Sequence, residues 1–176
     1  MSDREIRKLR LAIDAVDAEL LAQLNRRAAL VRKVGALKGG APAYRPERES
    51  EILRRVAAQS AGAGNRDGLP PDSAVGVFRE IISACRALEQ DIRVSYLGPQ
   101  GTFSEQAVRQ HFGLAVAAEP AATIDEVFRS AESGATHFAV APAENSTDGV
   151  VGRTLDLLLT TPLRICGEVD LRVKQN

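Results

Sequence analysis

The chain has 176 residues, 44% hydrophobic and 26% charged, which fits one ordinary domain or two small ones and excludes a disordered segment. Its 23 basic and 23 acidic side chains cancel, removing any general pull toward nucleic acid or anionic lipid. No apolar run nears the ~18 residues of a membrane span, and two cysteines with two histidines exclude a disulfide framework, a zinc site and most histidine triads.

The N-terminal stretch MSDREIRKLR lacks the apolar core of a signal peptide, so the expected location is the cytoplasm. Residues 4–38 place Ile6, Leu9, Ile13, Val16, Leu20, Leu24, Val31 and Val34 at helical spacing, without proline and with Gly35 alone as glycine. A helix of that length runs to about 50 Å, too long for one small domain to pack. It suggests a coiled-coil-like or domain-exchanged element. Gly39-Gly40-Ala41-Pro42 ends it, and a second helix is expected from Pro46 to about Ser60 with proline in its first turn. A loop over 61–71 leads to a third helix, capped by Asp72 or Ser73 and reaching about Gln90.

Beyond Asp91 the pattern changes. Residues 1–91 carry 16 basic and 13 acidic side chains, whereas residues 92–176 carry 7 and 10. The second stretch reads as a strand at 93–98, a helix at 103–112, a strand at 115–118 and a helix at 123–134 with Thr123 as its N-cap. A strand at 137–142, a helix at 150–160 and an extended run at 163–173 follow. This alternation predicts a mainly parallel α/β sheet, and the expected boundary gives modules 1–91 and 92–176.

The helical part carries charge on its apolar faces. Leu20, Leu24, Arg27, Val31, Val34 and Lys38 form one stripe. Arg27 and Lys38 lie roughly 20° apart around the helix and about 16 Å apart along it, close enough to converge on a small organic anion. Phe78, Ile82, Cys85 and Glu89 form a second stripe that ends in a carboxyl. Such side chains also snorkel from a core edge or pair across a coiled coil. Buried charges nevertheless require partners, and a ligand supplies them. Arg10 lies about 25 Å before Arg27 along the same helix, so both meet one small ligand only if an antiparallel partner helix contributes.

The segments LRLAIDAVDAELLAQLNRRAALVRKVGALK (9–38), YRPERESEIL (44–53) and FREIISACRALEQ (78–90) resemble the all-helical chorismate mutases, and more closely the mutase module of the bifunctional chorismate mutase–prephenate dehydratases. That resemblance implies an all-α, three-helix module in an intertwined dimer. It implies Arg10 as the arginine given to the partner's site, Arg27 on the second carboxylate and Lys38 donating to the substrate ether oxygen. Arg48 and Glu49 would reach the ligand from the second helix, Glu49 holding the hydroxyl. Glu89 stands where some members have glutamine, in the role of ether-oxygen donor. Cys85 stands where some have serine, and Arg45 aligns across a gap with an acidic residue. The implied reaction is the rearrangement of chorismate to prephenate, which needs no nucleophile, base, metal or cofactor but a dianion held in a compact chair. A carboxylate cannot donate, so activity dependent on Glu89 is expected to rise toward mildly acidic pH.

In the second module, VSYLGPQGTFSEQAV (94–108) sets a glycine-bearing turn between strand and helix, and PAENSTDGVVGRTLDLL (142–158) follows another strand. Each alone is an ordinary capped turn. Together they resemble the paired motifs of prephenate dehydratase, implying that Thr102, Ser104, Asn145 and Ser146 line the cleft of a periplasmic-binding-like α/β lobe. The Thr-Arg-Phe motif expected to carry the catalytic threonine does not occur in these 176 residues. The expectation is therefore an α+β, multi-domain chain: a complete mutase module with chorismate and prephenate as its ligands, then a partial dehydratase lobe without activity of its own. Neither metal nor cofactor, nucleic acid nor membrane is expected. The alternative is a non-catalytic dimeric module that senses a small anion.

Overall fold

A computed structural model describes residues 3–39, 42–62, 68–145 and 149–171. The first helix, α1 (Asp3–Leu37), runs unbroken for 35 residues, with Asp3 and Glu5 in its first turn, where the helix dipole favours them. Gly39 at φ 59° turns the chain beyond it, a left-handed conformation that suits glycine. Helix α2 (Pro46–Ser60) opens on the expected proline. Helix α3 (Pro71–Arg86) packs along α2 and touches α1 near its C-terminal end.

Two expectations for α3 are corrected. Neither Asp72 nor Ser73 caps it: Pro70 is the N-cap, and the Pro70 carbonyl receives the Ala74 amide at 3.0 Å, while Pro71 at the first turn brings no amide to satisfy. The helix also stops at Arg86 rather than Gln90. Leu88 and Glu89 bond to carbonyls three residues back, so Glu89 sits in the tightened closing turn rather than in the helix.

The α/β part places β1 (Arg93–Leu97) at the centre of a parallel sheet between β2 (Ala117–Ala121) and β3 (Phe138–Val140). Helix α4 (Phe103–Phe112) links β1 to β2, and α5 (Ile124–Glu132) links β2 to β3. A short antiparallel pair, β4 (Glu144–Asn145) with β5 (Gly149–Val150), precedes α6 (Gly152–Thr160). Thr123 caps α5 as expected, its side chain accepting the Glu126 amide. A central strand is covered on both faces, which explains why Val94, Ser95 and Tyr96 are all buried. The buried Ser95 hydroxyl stays satisfied, donating to the Val127 carbonyl at 2.9 Å and accepting from Thr136.

The second strand lies two residues later than expected. No strand forms over the described part of 163–173. That segment passes over α4 instead, where Gln110 donates to the Asp170 carbonyl and Gly167 lies against the His111 ring.

The helical and α/β stretches are not independent. Tyr44, from the α1–α2 connection, is buried in one apolar cluster with Ile92, Val94, Tyr96, Val108, Phe112 and Val116. The Leu114 amide donates to Glu80 and the Ala115 amide to the Ser83 hydroxyl, tying the α4–β2 turn to α3. None of the described helices is long and apolar enough to cross a membrane.

Candidate functional site

The structure joins the two charged stripes at one point. Lys38 Nζ donates to Glu89 Oε2 at 2.9 Å, with both side chains mostly buried. A turn earlier on α3 lies Cys85, buried. Gly35 faces the Glu89 side chain, where a Cβ would approach its Cγ to 3.1 Å, so the absence of a side chain there lets Glu89 pack onto α1. Arg27 is half-buried. Its Nη1 is buried and, among the buried side-chain nitrogens and oxygens of the described residues, is the one left without a hydrogen-bond partner. Leaving a buried guanidinium nitrogen unpaired is costly, and an anion is the partner that a guanidinium pairs with best.

Other predicted residues are not drawn into this cluster. Arg10 is exposed on the far half of α1, and Arg45 is exposed at the N-cap of α2. Arg48 points outward to Glu51 at 2.5 Å, an exposed pair one turn apart. Glu49 turns the other way, toward α3, and accepts from Arg86 Nη1 at 2.6 Å. A cavity of about 450 Å³, lined by Arg32, Gly35, Ala43, Glu89 and Gln90 among others, adjoins the Lys38–Glu89 pair. Of the predicted residues it takes in Glu89 alone.

Arg86 was not singled out by sequence reasoning. A cation in the last turn of a helix reads as dipole compensation, which is an ordinary surface role. Here it is only 4% exposed. The signal available was its place beside Ile82 on the apolar side of α3, four residues on. Tyr44 and His111 were equally silent. The Tyr44 hydroxyl meets His111 Nε2 at 2.6 Å. Burial, then Glu49, pushes the Tyr44 phenol above its ordinary range. Burial, with Arg86 and Arg79 nearby, holds the His111 ring below its ordinary value.

In the α/β part, β1 and β3 are adjacent and parallel, with Tyr96 opposite Val140. Loops leaving their C-terminal ends therefore emerge at the same edge, at the point where the strand order reverses. One loop carries Thr102, the N-cap of α4, followed by Ser104 in its first turn; the other leads to Asn145 in β4. The Thr102 hydroxyl turns back to the Leu97 carbonyl at 3.2 Å, and Glu105 accepts the Gly101 amide at 2.7 Å. That bond, ahead of Arg109, keeps the Glu105 carboxyl below its usual range. Ser146 lies outside the described residues.

Residues 9–90 match the family Chorismate mutase type II, and residues 94–176 match the family Prephenate dehydratase. The two matches together take in nearly the whole chain, one family along its helical part and the other along its α/β part. It is 48% identical over 167 residues to the bifunctional chorismate mutase/prephenate dehydratase of Neisseria gonorrhoeae, covering 95% of this chain and 45% of that protein. The protein of the same name from Pseudomonas aeruginosa is 44% identical over 181 residues, covering 98% of this chain and 48% of its own length. That from Escherichia coli K12 is 30% identical over 189 residues, again covering 98% and 48%. The chain thus spans about half the length of the curated relatives it matches. No solved structure gives a significant match.

Proposed function

We infer that the chain is a chorismate mutase, working as a cytoplasmic homodimer through α1, with residues 1–91 as the mutase module. The observation that carries this reading is the buried, unpartnered Nη1 of Arg27 on the same helix stripe as Lys38. A dianionic substrate supplies the missing acceptor. Arg27 binds one carboxylate through its fork, and Arg10 of a partner copy binds the other. The dimer is supported by the exposed apolar row of α1, where Leu9, Ile13, Val16 and Leu20 are all more than half exposed in the single chain.

Lys38 has three ammonium protons, and Glu89 Oε2 takes one. Another serves the ether oxygen, where charge grows as the C–O bond breaks, so the contact strengthens in the transition state and raises rate. Glu89 donates to the same oxygen from Oε1 when protonated. Glu49 takes the substrate hydroxyl, with Arg48, Arg45 and Cys85 completing the walls. No proton is abstracted and no covalent intermediate forms.

For residues 92–176 we read a periplasmic-binding-like lobe whose sheet edge presents Thr102, Ser104 and Asn145 to the prephenate carboxylates, with Ser146 added by the resemblance alone.

The test is loss of chorismate absorbance with the purified chain. Turnover to prephenate is expected, without added metal or cofactor. Chorismate binding without turnover would replace this reading with that of an anion sensor.

A further inference from the structure

We propose that Arg86 is a positioning residue that holds Glu49 in place for the substrate by tying it to the end of α4, so that the α/β module sets the geometry of the mutase site. The proposal rests on the reading of Glu49 as the group that takes the substrate hydroxyl.

The guanidinium of Arg86 forms a bridge. Its Nη1 donates to Glu49 Oε1 on α2 at 2.6 Å, and its Nη2 donates to the Phe112 carbonyl at 2.5 Å. Phe112 is the last residue of α4, and that helix end offers an electronegative carbonyl at the negative pole of its dipole. Arg86 Cζ lies 5.2 Å from the Tyr44 ring centroid and 5.9 Å from that of Phe112. Two hydrogen bonds from one rigid guanidinium, with two rings beside it, restrict the orientation of Arg86. Tyr44 is fixed in turn by its bond to His111, on α4.

The carboxylate of Glu49 is itself mostly buried, with its side chain 18% exposed. It stays in that setting only because a cation meets it. Remove Arg86, and Glu49 turns toward water. The hydroxyl contact goes with it, while Arg27 and Lys38 keep theirs. An ion pair that only stabilised the fold would affect every substrate alike. A positioning residue affects only a substrate that carries the hydroxyl.

The experiment compares kcat and KM for chorismate and for an analogue lacking the ring hydroxyl, using the whole chain as wild type, Arg86→Leu, Arg86→Lys and Glu49→Ala. For Arg86→Leu the expected result is a rise of about tenfold in KM for chorismate, little change in kcat, and analogue kinetics within about twofold of wild type. Glu49→Ala should show the same discrimination. Lysine reaches one acceptor and not both, so Arg86→Lys should fall between. If Arg86→Leu lacks the wild-type circular dichroism, the same ratio is read on Arg86→Lys. Equal losses on both substrates, or no loss on either, with Glu49→Ala still discriminating, would overturn the role of Arg86. No discrimination by Glu49→Ala would overturn the hydroxyl assignment and the proposal with it.

Discussion

The pairing of Lys38 with Glu89 sharpens what each oxygen of that carboxyl can do. Oε2 accepts from the ammonium, which leaves Oε1 outside that hydrogen bond. Only the protonated acid donates from there, so a donor role for Glu89 in the proposed mutase makes activity rise on acidification. Glutamine donates at every pH, and Glu89→Gln should remove that acid preference in kcat/KM while keeping activity near neutrality. An identical profile in both forms would leave Glu89 as a partner of Lys38 and nothing more. His111 gives a second, independent pH effect, this time on stability. Its folded pKa is depressed, chiefly by burial, below the ordinary 6.5. As pH falls through 6.5 the unfolded chain takes up the proton first. The contribution of His111 is therefore fully present above that pH and is lost on acidification toward the folded value. Thermal unfolding followed from about pH 7.5 to about pH 5 should show Tm falling more steeply in wild type than in His111→Gln, which still offers Tyr44 an acceptor.

Among the elements, α1 and α4 carry the weight of the arrangement for opposite reasons. Helix α1 contributes no buried residue to its own chain, which fits the proposed packing against a second copy. Helix α4 is held from three sides: by the sheet, by Tyr44 and by Arg86 at its C-terminus. The turn that follows it is the tightest point. Gly113 adopts φ 78°, and a Cβ there would lie 2.5 Å from the Cβ of Ser83 on α3. Gly113→Ala meets both the left-handed backbone penalty and a backbone shift against α3, together about 2–4 kcal/mol. Urea unfolding should show that loss as a lower midpoint, and a change within experimental error would mean that α3 and the α4–β2 turn are not as closely fitted as the geometry requires.

For the molecule as a whole, the two modules share a core through Tyr44, whereas the proposed active site is shared between two copies. Arg10 and Arg27 lie 17 positions apart on one straight helix, about 25 Å, so neither can serve the other's ligand within a chain. Mixing Arg10→Ala with Arg27→Ala chains should restore activity, because a heterodimer rebuilds one site from the two intact residues. Random exchange gives about a quarter of the wild-type rate. Verified exchange without recovery would remove Arg10 from the proposed site and with it the argument for a shared one.

The course of the chain was legible in its sequence wherever one local period dominated. The run of α1, the proline start of α2, the Thr123 cap and the β–α alternation follow from spacing and turn chemistry within a few residues. The cations on the apolar stripe were legible too, because a charge out of register with its helix face is a local fact. Partners were not. Lys38 meets Glu89 across 51 positions, Glu49 meets Arg86 across 37, and Arg86 meets Phe112 across 26. Periodicity assigns a residue to a face but says nothing of what that face will touch. The same limit hid Tyr44, an isolated aromatic in a connection, whose burial depends on an α/β core that forms later in the chain. It also left open where the extended 163–173 run would dock, since its residue types favour extension but only the tertiary structure decides whether a sheet edge or α4 receives it.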